Sequence, residues 1–180
     1  MNDYQVILDF WFGEQTQSLW FAKNNQFDAR IREQFGTVWQ QVTMGECWAW
    51  RDTVRGRLAE IIVLDQFSRN LWLDDARAFQ QDGMALVFAQ EIVKQTGFEQ
   101  LTVDERKFAI MPMMHSESAV IHEAAAPLFK RYTDAVTVDF GVQHQAIIER
   151  FGRYPHRNTA LGRASSTEED AFLEQNGSSF

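Results

Sequence analysis

The sequence predicts an all-α fold built from antiparallel helical hairpins. Long stretches place apolar residues three to four positions apart, which is the spacing of a helix with one buried face. The chain has only 3 prolines, and no segment shows the apolar–polar alternation of a strand. Short turns between successive helices favour neighbouring antiparallel pairs. The length of 180 residues fits a single domain over residues 1–180.

Apolar spacing and glycine stop signals predict the first three helices. The first is expected over residues 3–12, before a glycine. The second is expected over residues 26–43, where an apolar residue recurs every three to four positions, and Gly45 is its stop signal. The third is expected over residues 54–72. Its centre, residues 61–64, is apolar on every side, so we expect this helix to be the most buried.

The next two helices are indicated by their ends. A fourth helix is expected to begin after Asp74 and to run to residue 95, with Gly97 as its C-terminal signal. Thr102 and Glu105 have the spacing of a capping box and predict the start of a fifth helix. Pro112 should kink or end that helix, because proline cannot donate the backbone hydrogen bond of a helix interior.

The last third of the chain is expected to hold two long helices, a loop and one short helix. The long helices cover residues 118–135, with a bend near Pro127, and residues 140–151. The loop covers residues 153–165. A second capping box then predicts a short helix over residues 166–174.

Composition narrows the possible functions. The net charge is −8, and each half of the chain carries −4, so there is no basic arm to neutralise nucleic acid or an anionic membrane. A lone cysteine, Cys47, excludes an intramolecular disulfide and is expected to be a buried small hydrophobe. With no signal-peptide pattern at the start, a cytoplasmic location is the expectation. The 6 tryptophans are expected in the core.

The first polar anomaly is a charged segment on the helix expected to be most buried. Asp65 and Arg69 are four residues apart and share a face, and Arg57 lies two turns earlier. A buried carboxylate needs a partner. Asp65 is therefore either half of a structural ion pair or part of a ligand-binding wall that also includes Arg69, Asn70 and Arg57.

The second anomaly follows Pro112, where His115 and Glu117 lie at an expected helix break. Freed backbone groups, an imidazole and a carboxylate could bind a ligand there. His122 lies seven residues after His115, which raises the possibility of a metal site. The spacing is not that of a zinc-binding His-Glu-x-x-His helix, so we predict neither a metal nor a cofactor.

The third anomaly is a reversal of charge over residues 150–163, which hold four arginines, one histidine and no acid. Arginine presents a planar fork suited to carboxylate or phosphate. One interpretation is an anion-binding loop; its candidate side chains are Arg153, His156, Arg157 and Asn158. The other is a structural loop whose arginines pair with acids such as Asp65, Glu117 or Asp82 and attach the last helix.

These segments resemble a known bacterial family. The stretches that carry the resemblance are Asp9–Gly13, Trp20–Phe21, Gly56–Ala59, Leu64–Asn70, His115–Glu117, Phe151–Asn158 and Leu161–Gly162–Arg163. Together they resemble the domain-of-unknown-function family number 924. The resemblance implies an all-α, tetratricopeptide-like, right-handed helical array, although no repeat of about 34 residues is evident. It implies no established activity. The family pattern has proline at the position of Ser68 and glutamine at that of His122.

Two functional hypotheses follow, and whether the chain is an enzyme stays open. In the first, the polar segments form one cleft that binds a small anionic molecule, and the protein is a hydrolase with His156, Glu117 or His115 as acid or base. In the second, a tetratricopeptide-like surface binds a peptide or protein partner, and the polar cluster is structural.

Overall fold

The computed structural model describes residues 3–175 and 177–178, and every regular element in that part of the chain is helical. The all-α prediction is therefore confirmed. The α-helices are Tyr4–Trp11 (α1), Glu14–Gln17 (α2), Asn25–Thr43 (α3), Val54–Ile62 (α4), Ser68–Leu71 (α5), Asp82–Ile92 (α6), Val103–Met114 (α7), Ala119–Tyr132 (α8), Ala135–Phe151 (α9) and Thr167–Leu173 (α10). Short 3₁₀ segments cover Trp48–Asp52, Ala76–Ala78, Phe98–Gln100 and Pro155–Arg157.

The centre of the fold is one continuous helical run made of α4, a π-helical turn at Val63–Phe67, and α5. Its apolar centre, residues 61–64, is completely buried, as predicted. Helices α1, α6 and α7 pack against α4, and α3 packs against the π turn and α5. A helix that is apolar all round needs neighbours on every side, and this arrangement supplies them.

The second half of the chain packs in sequence order. Helix α7 lies against α6, α8 against α7, and α9 against α8. Helix α10 rests on the 3₁₀ turn at Pro155–Arg157. Both predicted capping boxes are present, at Thr102 with Glu105 and at Ser166 with Glu169.

Helices α6, α7 and α9 each differ from the prediction at a boundary. Helix α6 begins only at Asp82, because the chain has a left-handed φ of 58° at Asp74 and then forms only a short 3₁₀ turn. Helix α7 continues past Pro112 to its end at Met114, since a proline in the last turn removes a single helical hydrogen bond. Helix α9 begins at Ala135.

The early start of α9 has a local cause. The Asp134 carboxylate accepts a hydrogen bond from the backbone amide of Thr137 over 2.8 Å and caps the helix. Val136 and Phe140, in its first turns, are exposed, so no apolar stripe indicated this part of the helix.

The expectation that all tryptophans lie in the core is wrong for Trp48, which is 66% exposed. Trp48 sits in a 3₁₀ turn, where periodicity gives no information on which side faces the core. Cys47, directly before it, is half-buried. Within the described residues, no helix has the length and apolar character needed to cross a bilayer.

Candidate functional site

The candidate site begins with Asp65 in the π-helical turn. A π turn holds one residue more than an α turn and often occurs at functional positions. Asp65 is 1% exposed, so other groups must satisfy its carboxylate. Gln66 Nε2 donates to its Oδ2 over 2.5 Å, and Arg69 Nη1 lies 3.1 Å from its Oδ1. The predicted pairing of Asp65 with Arg69 is present.

His115 reaches the same carboxylate from the C-terminal end of α7. Its Nδ1 lies 2.7 Å from Asp65 Oδ1, and its side chain retains 15% exposure. Among the described residues, no hydrogen bond is made by His115 Nε2. An ionised carboxylate can only accept, so the neutral ring holds its proton on Nδ1 and a lone pair on Nε2.

The protonation states of this pair follow from its surroundings. Burial lowers the pKa of His115, and the nearby Arg69 lowers it further, which outweighs the attraction of Asp65. Burial opposes ionisation of Asp65, but His115, Arg69 and the Gln66 amide together hold the pKa of Asp65 well below its usual value. At neutral pH the pair is therefore a carboxylate and a neutral imidazole.

Asp82, the first residue of α6, lies between two arginines. Arg69 donates to both of its carboxylate oxygens, over 3.0 and 3.1 Å. Arg157 Nη1 donates to Asp82 Oδ2 over 3.0 Å, and Arg157 Nη2 donates to the His115 carbonyl over 2.9 Å. This chain of contacts connects the loop after α9 to the central helix and to the ends of α6 and α7.

Arg157 is buried and lies between two aromatic rings. Its guanidinium carbon is 4.6 Å from the centroid of Phe79 and 4.7 Å from that of Tyr154. Within the described part of the chain, its Nε–H is buried without a hydrogen-bond partner. Burial and the charge of Arg69 lower the pKa of Arg157, yet an arginine remains charged at any physiological pH.

Glu117 is held by Arg163 in a second set of contacts. Arg163 forms the bidentate pair over 2.7 and 2.9 Å, and the backbone amide of Tyr154 donates to Glu117 Oε1 over 2.7 Å. Burial opposes ionisation, but these donors lower the pKa of Glu117. Both oxygens of Glu117 are already occupied, so it is a poorer general base than His115.

The remaining loop residues attach α10. Arg153 pairs with Glu169 over 2.6 and 2.8 Å, and these bonds, with that of the Ser166 amide, lower the pKa of Glu169 to about 2. Asn158, also buried, accepts from Arg163 Nε over 2.9 Å and donates to Ser165 Oγ over 3.1 Å. The contacts of Arg153 and Asn158 therefore agree with the interpretation of this segment as a structural loop that attaches the last helix.

His156 lies beside the buried Tyr154, with ring centroids 5.5 Å apart. Burial lowers the pKa of His156 to about 4, and the charge of Arg157 contributes to the shift. His144 also packs against Tyr154, at 5.6 Å between centroids, and burial lowers its pKa to about 3. His144 and His156, which come from different segments, therefore both pack against the Tyr154 ring.

Two predicted ligand-binding residues, Asn70 and Arg57, make no contact with the polar network around Asp65 in the hydrogen bonds and ion pairs of the described residues. Asn70 points to α3, where its Nδ2 donates to Asp28 Oδ1 over 2.7 Å. Arg57 is half-buried, and none of the hydrogen bonds or ion pairs of the described residues joins it to Asp65. In a helix, a separation of eight residues spans two turns, and the π turn shifts the face as well.

The site is closed at its floor and open at its rim. Asp65, Arg157 and Asn158 are buried, whereas Arg69, Asp82 and His115 keep part of their side chains in solvent. The partly exposed side chains of Arg69, Asp82 and His115 therefore form the rim of the site. Throughout residues 3–175 and 177–178, no cluster of three histidine, cysteine or acidic side chains is arranged to hold a metal ion.

Three residues of the site, Asp82, Gln66 and Tyr154, were not predicted as candidate site residues from the sequence. Asp82 was expected only as one of several acids that a loop arginine could pair with, and Gln66 and Tyr154 were not singled out. A buried polar residue such as Gln66 on an otherwise apolar helix was the available signal. Tyr154 offered none beyond its place in the charged loop.

Comparison with known proteins supports the resemblance found in the sequence. A family model described as bacterial protein of unknown function (DUF924) matches residues 7–177. A solved structure, a protein of unknown function, ATU0120, from Agrobacterium tumefaciens, is 30% identical with a TM-score of 0.89. The match covers 95% of this chain and 96% of that one. No curated protein matches.

Proposed function

The chain belongs to the DUF924 family of bacterial proteins of unknown function, and from its site we propose that it binds a small anionic molecule and hydrolyses it. In this proposal His115 Nε2 takes a proton from a water molecule, and the resulting hydroxide attacks the acyl carbon of an ester or amide. The bond from that carbon to the alcohol or amine then breaks, and the imidazolium returns its proton to this leaving group. The observation that carries the proposal is the 2.7 Å contact between Asp65 and His115, which leaves Nε2 as a lone pair at a partly exposed surface.

Asp65 supports the chemistry by fixing the imidazole. The carboxylate holds the proton on Nδ1 and stabilises the imidazolium that forms when Nε2 accepts a proton. Gln66 and Arg69 also contact the Asp65 carboxylate, so the group that orients the imidazole cannot rotate freely. A lowered pKa keeps His115 unprotonated at neutral pH, which a general base requires.

Arg69 and Arg157 support recognition of negative charge. They share one carboxylate, Asp82, so each guanidinium retains N–H groups that Asp82 does not use. Arg69 is partly exposed, so an anion at the rim would meet its guanidinium first, while the buried Arg157 adds positive charge from below. The attraction between these guanidinium groups and a bound anion would be stronger where water is excluded.

Of the three residues considered as acid or base, His115 fits best. Glu117 accepts hydrogen bonds from Arg163 and a backbone amide, and these donors lower its pKa and make it a weaker base. His156 is adjacent to Arg157, whose charge disfavours the protonated ring. We assign both to support of the loop.

Matched variants separate binding from chemistry. A thermal-shift screen with inorganic phosphate, small carboxylates and nucleotides identifies anions that raise the melting temperature, and esters or amides of the hits serve as substrates. His115→Asn keeps a donor toward Asp65 but lacks the basic Nε2. It should retain the thermal shift and lose roughly 10²–10⁴-fold in rate. Arg131→Gln, which breaks an exposed ion pair with Glu99, is the control.

A scaffold function is the alternative, and exposed apolar side chains support it. Val120 on α8 and Val136 and Val142 on α9 are largely solvent-exposed. The sequential packing of α6 to α9 is also compatible with a tetratricopeptide-like right-handed array that binds a peptide or protein. Under this alternative no anion in the screen raises the melting temperature, and His115→Asn changes stability only.

A further inference from the structure

A small cavity of about 180 Å³ lies between α8 and α9, and neither Asp65 nor His115 is among its lining residues. Its walls are largely apolar, and its lining residues are His122, Ala125, Ala126, Phe129, Lys130, Val138, Gly141, Val142 and Gln145. Small side chains opposite one another create the space, since Gly141 faces this cavity from the middle of α9. A Cβ at Gly141 would meet Met114 Cε at 3.6 Å and Phe129 Cδ2 at 3.8 Å, which are ordinary contacts.

One polar group in the wall is buried, the imidazole of His122, which is 3% exposed. Its Nε2 lies 2.8 Å from the Ser116 carbonyl and 3.2 Å from the Tyr154 hydroxyl. The Ser116 carbonyl can only accept a hydrogen bond, so Nε2 carries the proton. The Tyr154 hydroxyl donates its own proton to the Met114 carbonyl and can therefore accept from Nε2 as well.

This assignment leaves His122 Nδ1 as a bare acceptor. Burial lowers the pKa of His122, so the ring is neutral and Nδ1 holds a lone pair. Among the residues that the structure describes, none donates a hydrogen bond to Nδ1. An acceptor in an apolar cavity wall favours a ligand that brings a hydrogen-bond donor over one that does not.

We infer that the cavity between α8 and α9 is a binding site for a small hydroxyl-bearing aromatic molecule, whose hydroxyl donates to His122 Nδ1. The volume suits one aromatic ring, because an apolar cavity of about 150 Å³ binds benzene. Phe129 and Val138 contact the ring, and the neutral hydroxyl satisfies His122 without bringing a charge into apolar surroundings. This inference does not rest on the reaction proposed at His115.

Phenol and toluene test the inference, because they have nearly the same shape and only phenol has a hydroxyl. Binding is followed by the shifts of backbone amide signals in two-dimensional NMR during titration of the full chain. We expect phenol to shift signals from α8 and α9 and to bind roughly threefold to tenfold more tightly than toluene, as one hydrogen bond allows. Equal affinity of the two compounds, or shifts confined to other helices, overturns the inference.

Two variants assign the binding to this cavity and to this acceptor. His122→Phe keeps a planar ring but has no acceptor, so the preference for phenol over toluene should disappear. Gly141→Leu fills the cavity and should abolish binding of both compounds. Gly36→Leu, at a helical glycine with no atom within 4 Å of the added Cβ, should bind like the wild type. If Gly141→Leu does not fold, Gly141→Ala should weaken both compounds; unchanged phenol binding in a folded Gly141 variant overturns the inference.

Discussion

The Nδ1 atom of His115 lies 2.7 Å from Oδ1 of Asp65, although the two residues are 50 positions apart in the chain. The contact joins the end of α7 to the π turn of the central helix. It makes the buried carboxylate part of a pair whose other member is partly exposed. The stability of the site and the proposed chemistry therefore involve the same two residues, and each can be tested separately.

Removing the Asp65 carboxylate should destabilise the fold strongly. Asp65→Ala leaves Arg69, Gln66 and His115 without their shared acceptor, and breaking a buried pair costs about 3–5 kcal/mol. Urea denaturation at pH 7 measures the change in the free energy of unfolding. The control is Glu91→Ala, which breaks an exposed pair with Lys94 and should cost less than about 1 kcal/mol. Equal losses in the two variants would contradict the role given to Asp65.

Stability should fall as the pH decreases below 6.5. The pKa values of His115, His122, His144 and His156 are all lowered by burial, those of His144 and His156 to about 3 and about 4. Between these values and the usual 6.5, the unfolded chain binds more protons than the folded one, so acid favours unfolding. The lowered pKa of Asp65 acts in the same direction below pH 4.

The midpoint of urea denaturation, measured from pH 8 to pH 4, tests this expectation. It should be constant above pH 7 and decrease steadily toward pH 4. His144→Phe removes one of the titrating groups and should reduce the slope. A midpoint that rises on acidification from pH 6.5 would mean that the histidines gain protons on folding.

The attachment of α10 should depend on one carboxylate. Glu169 accepts from the backbone amide of Ser166 and from Arg153, so Glu169→Ala removes a helix cap and an ion pair together. We expect a loss of about 1–2 kcal/mol, as for other helix caps. Limited proteolysis should then cut near α10 first. Glu168→Ala, at the exposed neighbouring residue, should behave like the wild type.

The Tyr154 hydroxyl should contribute measurably to stability. It donates to the Met114 carbonyl over 2.5 Å at the end of α7 and lies 3.2 Å from His122 Nε2. Tyr154→Phe keeps the ring and leaves that carbonyl unsatisfied, which should cost about 1–3 kcal/mol. Thermal unfolding measures the loss; an unchanged melting temperature would show that water replaces the hydroxyl.

Local signals predicted local structure well. The capping boxes at Thr102 and Ser166 depend on residues three positions apart, and both formed as expected. The burial of residues 61–64 followed from a helix that is apolar on all sides. The start of α9 was missed because its first apolar residues face solvent.

The site depends on partners that are distant in sequence, and these could not be predicted. Arg157 and Asp82 are 75 residues apart, and nothing in either segment selects that pairing over the other acids available. Sequence reasoning identified the charged residues because they were anomalous for their segments. The sequence could not show whether Glu117 or His115 has a side-chain acceptor atom without a hydrogen bond, since that depends on the positions of Arg163 and Tyr154.

The most direct test of the central claim is the tautomer of His115, measured by long-range proton–nitrogen NMR at pH 7 on the uniformly nitrogen-15-labelled protein. The His115→Asn spectrum assigns the signal. We predict a neutral ring with the proton on Nδ1 and an unprotonated Nε2, and a pKa below 6.5 on titration. A proton on Nε2, or a ring that is charged at pH 7, would contradict the assignment of His115 as the base.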